Sequence, residues 1–97
     1  MTSKVRAEWD RRKSDLNRRK HKIDFGFATR GIYDPLKRTD VEGHEHGEIR
    51  WRTICEIEGR IFVISHTIRE EGDVEIWRII SARKASPRER RAYEETA

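Results

Sequence analysis

Residues 49–82 determine the fold, and their sequence is IRWRTICEIEGRIFVISHTIREEGDVEIWRIISA. This stretch contains three runs rich in β-branched residues, Ile49–Ile57, Ile61–Ile68 and Val74–Ala82, separated by Glu58-Gly59 and Glu70-Glu71-Gly72. Such short connections predict an antiparallel meander of three strands. The second run begins with four consecutive apolar residues, so we expect it to be the central strand.

The residues before this meander predict a strand and a helix. Val5–Trp9 can form a first strand, and Asp10 can act as the N-cap of a helix over Arg11–Lys20. This helix has few apolar residues. We therefore expect it to form only if Trp9 and Leu16 pack on the rest of the domain.

A second short helix is indicated by apolar residues that share one helical face, Phe25, Ala28 and Ile32. Asp34-Pro35 ends this helix, because the residue before a proline avoids helical geometry. The polar stretch Lys37–Glu48 predicts a loop or a weak edge strand.

The last helix has a clear start signal. Ser86-Pro87-Arg88-Glu89 is a capping box with proline at the first helical position, and it predicts a helix over Pro87–Glu95. Its only apolar contacts are Ala92 and Tyr93, so we expect it to be marginal alone and available to a partner. The whole chain, residues 1–97, is then predicted to be one α+β domain. It has a small antiparallel sheet, two N-terminal helices and a C-terminal helix.

Positive charge is concentrated at the two ends of the chain. The formal net charge is +4 over 97 residues. Residues 1–22 carry nine Lys/Arg against three Asp/Glu, residues 23–82 eight against twelve, and residues 83–97 five against three. Basic ends that meet in space would form one positive surface suited to a polyanion. Solvated helix faces are the alternative interpretation.

Other features limit the possible chemistry. Cys55 is the single cysteine, which excludes an internal disulfide and suits a reducing cytoplasm. No apolar run has the length of a membrane span or signal-peptide core, so we expect a cytoplasmic protein without a membrane partner. His44-Glu45-His46 could suggest a zinc site, but two ligands without a defined third and fourth are a weak signal. We expect no metal and no other cofactor.

Short motifs along the chain resemble those of one known protein family. The supporting ones are Glu8-Trp9-Asp10, Asn17, Lys20-His21, Ile23, Phe25, Asp34-Pro35-Leu36, Gly47-Glu48-Ile49-Arg50-Trp51 and His66-Thr67. The most specific runs from Arg78 to Ser86 (RIISARKAS) and continues through Arg88-Glu89-Arg90 to Tyr93-Glu94. Together they span residues 8–94 and resemble the BrnT family. The chain departs from the family pattern at Lys22, where glycine often follows the histidine, and in the His-rich stretch 41–46.

The resemblance implies a RelE-like fold, metal-independent cleavage of single-stranded RNA, and growth arrest on expression. It also implies a ribbon-helix-helix antitoxin, BrnA, that neutralises the toxin and represses their shared promoter. We therefore expect a higher-order toxin–antitoxin complex that binds its operator DNA. The alternative is a non-catalytic nucleic-acid-binding or protein-interaction module, since basic ends need no catalytic group.

Cleavage of RNA without a metal requires a base for the 2′-OH, cations for the dianionic phosphorane and an acid for the leaving 5′-oxygen. Arginine suits the second task because its fork binds two phosphate oxygens. We predict Arg78 and Arg83 as catalytic phosphate ligands, with Arg50 extending the site. Strand alternation places Arg78 on one face with Ile80 and Ala82, and Arg83 on the other. A structural ion pair is the alternative for Arg78.

Proton transfer near neutral pH suits histidine. His21, Lys20 and His66 are the candidates, although His21 and Lys20 end a helix, where cations are also favoured structurally. His66, at the end of the central strand, has a structural alternative as well. A carboxylate base, Glu8 or Glu89, is also open, and each has a simpler explanation as an ion pair or a cap. The basic residues predicted to contact the RNA backbone are Arg18, Arg19 and Lys22.

Overall fold

Five strands form one mixed sheet in the order β1-β5-β4-β3-β2 in the computed structural model, which describes residues 4–96. The elements in chain order are β1 (Lys4–Glu8), α1 (Arg11–His21), α2 (Phe25–Ala28), a 3₁₀ helix (Thr29–Tyr33), β2 (Arg38–Glu45), β3 (Glu48–Ile57), β4 (Arg60–Glu71), β5 (Val74–Lys84) and α3 (Pro87–Thr96). The α+β class and the three-stranded meander are confirmed, and β4 is the central strand as predicted.

The prediction of a wholly antiparallel sheet is wrong at one edge. β1 runs parallel to β5, with Lys4 opposite Val74 and Glu8 opposite Arg78. Connection lengths could not reveal this pairing, because most of the chain separates the two strands. At the other edge, residues Arg38–Glu45 of the polar stretch form β2, which pairs antiparallel with β3.

The helices also differ from the predicted arrangement. The second helix has only four α-helical residues and continues as the 3₁₀ helix. Asp24 caps it by accepting the N–H of Phe27 at 2.7 Å. Its apolar residues Phe25 and Ala28 are buried, as predicted.

Polar contacts, not apolar ones, hold α1 in place. Asp10 caps the helix as predicted, accepting the N–H groups of Arg12 and Lys13. Trp9 and Leu16, the expected apolar anchors, are 38% and 60% exposed.

The buried residues of α1 are Ser14 and Asn17. The Asn17 amide donates to the carbonyls of Ile23 and Ala82 at 2.7 and 2.8 Å, and its oxygen accepts the N–H of Ala82 at 3.1 Å. Ser14 Oγ accepts the N–H of Phe25. The predicted apolar packing of this helix is therefore wrong.

The main core lies between one face of the sheet and the helical segment that follows α1. Its buried residues are Ile23, Phe25, Ala28, Ile32, Cys55, Ile57, Phe62, Ile64, Trp77, Ile79 and Ala82. Cys55 is a free, buried thiol, and burial raises its pKa to about 12. A second, smaller cluster lies on the opposite face, where Tyr93 of α3 packs with Ile54 and Val63.

An irregularity in β5 changes which side chains share a face. Ser65 pairs with Ser81, but the next residue, His66, pairs with Ile79, so Ile80 is an extra residue in β5. The side chains of β5 therefore do not alternate strictly between the two faces of the sheet across Ile80. Arg78 and Arg83, predicted on opposite faces, lie on the same face.

Gly31 is required where the 3₁₀ helix meets the sheet. A Cβ at this position would overlap Cys55 Sγ. We expect Gly31→Ala to lower the free energy of unfolding by about 2 kcal/mol through overpacking, as measured by urea denaturation. Removing the obstructing sulfur in the double variant Gly31→Ala/Cys55→Ala should recover part of this loss. Equal destabilisation by Gly31→Ala and by Gly43→Ala, which meets no neighbour, would contradict the packing argument.

Candidate nucleic-acid interface

One face of the sheet is lined with arginines. Cross-strand pairing places Arg83, Arg52 and Arg78 opposite three alternate residues of β4, Val63, Ser65 and Thr67. Alternate residues of a strand point to the same side, and here that side faces away from the main core. We call this surface the arginine face. Its arginines are Arg38, Arg50, Arg52, Arg69, Arg78 and Arg83.

Arg78 binds a carboxylate at one end of this face. Its Nη1 lies 3.0 Å from Glu8 Oε2, and Arg69 donates two further hydrogen bonds to the same carboxylate at 2.9 Å. The hydrogen bonds from Arg69 and then Arg78 lower the pKa of Glu8 to about 2. Two cations therefore share Glu8, and Arg69 also contacts Glu71.

Arg83 forms a bidentate ion pair with Glu89 at the junction of β5 and α3. The nitrogen–oxygen distances are 2.7 and 2.9 Å. Glu89 also accepts the N–H of Ser86, whose hydroxyl caps the N–H of Glu89, so the predicted capping box is present. The hydrogen bonds from Arg83 are the main cause that lowers the pKa of Glu89 to about 2.

This pKa makes stability depend on pH. The folded pKa of Glu89 lies below its ordinary 4.5, so its contribution is full above about pH 5 and is lost as the pH falls towards 2. We expect Glu89→Gln to lower the free energy of unfolding by about 2 kcal/mol at about pH 7. Urea denaturation should show the gap between parent and variant closing at about pH 2.5. A gap that stays constant with pH would contradict the ion-pair assignment.

Arg50 contacts two carboxylates near the end of the β2–β3 hairpin. Its Nη1 lies 2.8 Å from Glu45 Oε2, and its Nε lies 3.2 Å from Glu42 Oε1 without hydrogen-bond geometry. Glu42 also accepts the Ser65 hydroxyl at 3.1 Å. The position of Arg50 on the arginine face is consistent with the predicted extension of the site.

Arg52 is the residue that sequence reasoning missed. Its Nε is buried and has no hydrogen-bond partner, and no ion pair of Arg52 is present among residues 4–96. It lines a groove of about 430 Å³ between β2, β3 and α3. Arg38 and Arg88 also line this groove, and Arg38 is paired with Asp40 at 3.1 Å. Within residues 4–96, Arg52 is therefore the arginine of this face that has no ion pair, and it lies beside the Arg83–Glu89 pair.

His66 lies in the interior, away from any surface that RNA could reach. It is 0% exposed, its ring stacks on Trp77 at 3.9 Å, and its Nε2 is 2.7 Å from Thr53 Oγ1. Burial lowers its pKa to about 4. These contacts favour the structural alternative and do not support proton transfer by His66.

A second basic concavity, which we call the rim groove, lies at the end of α1. It has a volume of about 550 Å³, and its basic residues are Arg18, His21, Lys22, Arg60 and Lys84. Phe27 and Phe62 also line it and contact each other edge to face. Lys20 and Arg19 are exposed on the same helix but do not line the groove.

Two further properties bear on cofactors and membranes. Among the described residues, no group of three or more His, Cys, Asp or Glu side chains could hold a metal ion. No helix within residues 4–96 is both long enough and apolar enough to cross a membrane.

One protein-family model matches residues 9–89, and it describes BrnT, the ribonuclease toxin of a type II toxin–antitoxin system. The chain belongs to the BrnT family. The resemblance in the sequence motifs is thereby confirmed. A type II toxin of this kind acts on RNA and has an antitoxin partner. Comparison with curated proteins gives no match.

The BrnT match includes both basic regions. Arg50, Arg52, Arg78 and Arg83 lie on the arginine face, whereas Arg18, His21 and Lys22 line the rim groove on the other side. The structure thus divides the predicted site residues between two surfaces. A sequence signal for Arg52 existed in the run Arg50-Trp51-Arg52, because alternate strand residues share a face.

Proposed function

We propose that this chain cleaves single-stranded RNA at the arginine face, without a metal ion, by attack of a ribose 2′-OH on the adjacent phosphate. The observation that carries the proposal is the buried, unpaired Nε of Arg52 in a groove with Arg38 and Arg88. A buried donor without a partner is costly. A phosphate oxygen bound there would satisfy it.

The neighbouring arginines can exchange a carboxylate for a phosphate. Arg83 binds Glu89 in a bidentate manner through Nη1 and Nη2. A phosphodiester presents two oxygens in a similar arrangement. Arg50 and Arg78 lie farther along the same face, both towards the Thr67 end of β4, where they would bind a neighbouring phosphate. In this arrangement Arg83 and Arg52 stabilise the charge that develops on the phosphorane.

The same exchange would supply a base. Once a phosphate occupies Arg83, Glu89 loses the contact that lowers its pKa most, so its carboxylate becomes more basic. Glu89 would then accept the 2′-OH proton as the 2′-oxygen bonds to phosphorus and the bond to the 5′-oxygen breaks. The leaving 5′-oxygen takes up a proton from water, and the products are a 2′,3′-cyclic phosphate and a 5′-hydroxyl. We propose Glu89 for this role rather than His21 or Lys20, which lie outside the arginine face, or the buried His66.

The resemblance to BrnT sequence motifs supports two further parts of the proposal, the fold family and the type of antitoxin. We propose a RelE-like fold, and a BrnA-like ribbon-helix-helix antitoxin that neutralises the toxin in a complex able to bind operator DNA. Helix α3 borders the Arg52 groove. An antitoxin that covers α3 would therefore close the groove.

A cleavage assay tests the proposed reaction. The purified chain is incubated with end-labelled single-stranded RNA in excess EDTA, beside the same RNA carrying 2′-O-methyl groups. We expect cleavage of the first RNA only, with 2′,3′-cyclic phosphate ends. Shifted but intact RNA on a native gel would favour the non-catalytic binding module, and 3′-hydroxyl ends would contradict attack by the 2′-OH.

A further inference from the structure

The cations of the rim groove are not used in the proposed reaction, and they lack carboxylate partners. No ion pair of Arg18, Lys22, Arg60 or Lys84 is present in the part of the chain that the structure describes, which covers residues 4–96. The groove therefore presents uncompensated positive charge.

The carboxylates of the rim groove are engaged elsewhere. Asp24 accepts the N–H of Phe27 as the cap of α2. Glu58 lies 3.5 Å from Arg30. Among the described residues, neither carboxylate forms an ion pair with a cation of the groove. The four Lys and Arg side chains of the groove outnumber its two carboxylates, so its charge is complementary to an anionic ligand.

The rim groove continues towards the proposed reaction site. A smaller depression of about 280 Å³ shares Arg60 and Lys84 with it and extends to Ala85 and Arg90 at the start of α3. Lys84 follows Arg83 directly in the chain. Basic residues therefore line the surface from the arginine face around the β5–α3 junction to the rim groove.

We propose that the rim groove binds nucleotides that flank the cleaved phosphate in the same RNA strand, which would bend around the β5–α3 junction. This inference rests on the proposed function. A flexible single strand carries one phosphate per nucleotide and can follow such a bent basic path. Phe27 is partly buried and adds apolar surface to the groove, and the guanidinium of Arg30 lies over its ring at 5.7 Å.

Lys22 occupies a backbone position that favours glycine. It ends α1 in the left-handed region, with φ 64° and ψ 21°, and its N–H donates to the Arg18 carbonyl at 2.9 Å. Glycine adopts this conformation with less strain than lysine. Lysine at this position adds a cation to the groove at a cost in stability.

The test measures binding of a fluorescein-labelled, 2′-O-methylated single-stranded RNA of about 12 nucleotides by fluorescence anisotropy. We expect Lys22→Gly/Arg60→Gln to raise the Kd about tenfold. The slope of log Kd against log salt concentration should fall by about 1–2, which corresponds to the loss of one to two phosphate contacts. Lys22→Gly alone should weaken binding while raising the Tm, so the loss cannot come from unfolding. The charge-matched control Arg12→Gln/Lys13→Gln should bind as the parent does.

The outcomes separate this inference from the proposed function. If Lys22→Gly/Arg60→Gln, the groove variant, binds RNA as tightly as the parent and also cleaves it in EDTA, the rim groove does not hold the strand. The inference is then overturned. If the groove variant loses the antitoxin instead of the RNA, the groove is a protein-docking site and the inference is also overturned. If the parent neither binds nor cleaves single-stranded RNA, both proposals fail.

Discussion

Arg52→Gln is expected to lower the rate of RNA cleavage in EDTA by about 100-fold, because it removes a charged donor from the developing phosphorane. Arg52 has no ion pair among the described residues, so its replacement by an uncharged polar residue breaks no ion pair. The measurement is kcat/KM on a labelled single-stranded RNA, with the free energy of unfolding recorded for the same preparation. We expect that free energy to change by less than about 0.5 kcal/mol.

The matched control is Arg91→Gln, an exposed arginine of α3 that lines none of the grooves described above. It removes the same charge and should leave cleavage within about twofold of the parent. An equal decrease of the cleavage rate in Arg52→Gln and Arg91→Gln would mean that Arg52 acts only through the net charge of the protein. An unchanged rate for Arg52→Gln would remove the arginine face from the reaction.

Asn17→Ala is expected to cause the largest loss of stability, about 3–5 kcal/mol. The side chain is buried and makes three hydrogen bonds, two to Ala82 and one to Ile23. Truncation leaves these backbone groups unpaired in the interior, and each such group costs about 1–3 kcal/mol. Urea denaturation measures the effect, which should appear as a lower midpoint with an unchanged slope.

Leu16→Ala is the matched control for this prediction. Leu16 is the neighbouring apolar residue that the sequence suggested as an anchor, and it is 60% exposed. We expect it to cost less than about 1 kcal/mol. A greater loss for Leu16→Ala than for Asn17→Ala would show that apolar packing, and not the Asn17 amide, holds α1 on the sheet.

Local signals in the sequence predicted most of the individual elements. The Asp10 cap, the three strands of the meander and the Ser86–Glu89 capping box depend on residues close together in the chain, so their patterns were visible. The parallel pairing of β1 with β5 joins distant segments and has no local signature. The polar anchoring by Asn17 was hidden for the same reason, because its partner Ala82 lies at the far end of the chain.

The candidate site was predictable as a set of residue types but not as an arrangement. The sequence indicated Arg78, Arg83 and Arg50, yet strict alternation placed Arg78 and Arg83 on opposite faces. The extra residue Ile80 brings them onto one face. Alternation in the run Arg50-Trp51-Arg52 indicates the face on which Arg52 lies, but the unpaired, buried state of its Nε can be seen only in three dimensions.

The central claim is that RNA phosphates bind at the arginine face, and a single NMR measurement tests it most directly. The side-chain Nε–Hε signals of the arginines are recorded while an uncleavable 2′-O-methylated single-stranded RNA is added. We expect large shifts of the Arg52 and Arg83 signals, because both side chains exchange their present environment for phosphate oxygens. RNA that binds while both of these signals stay unchanged would contradict the account.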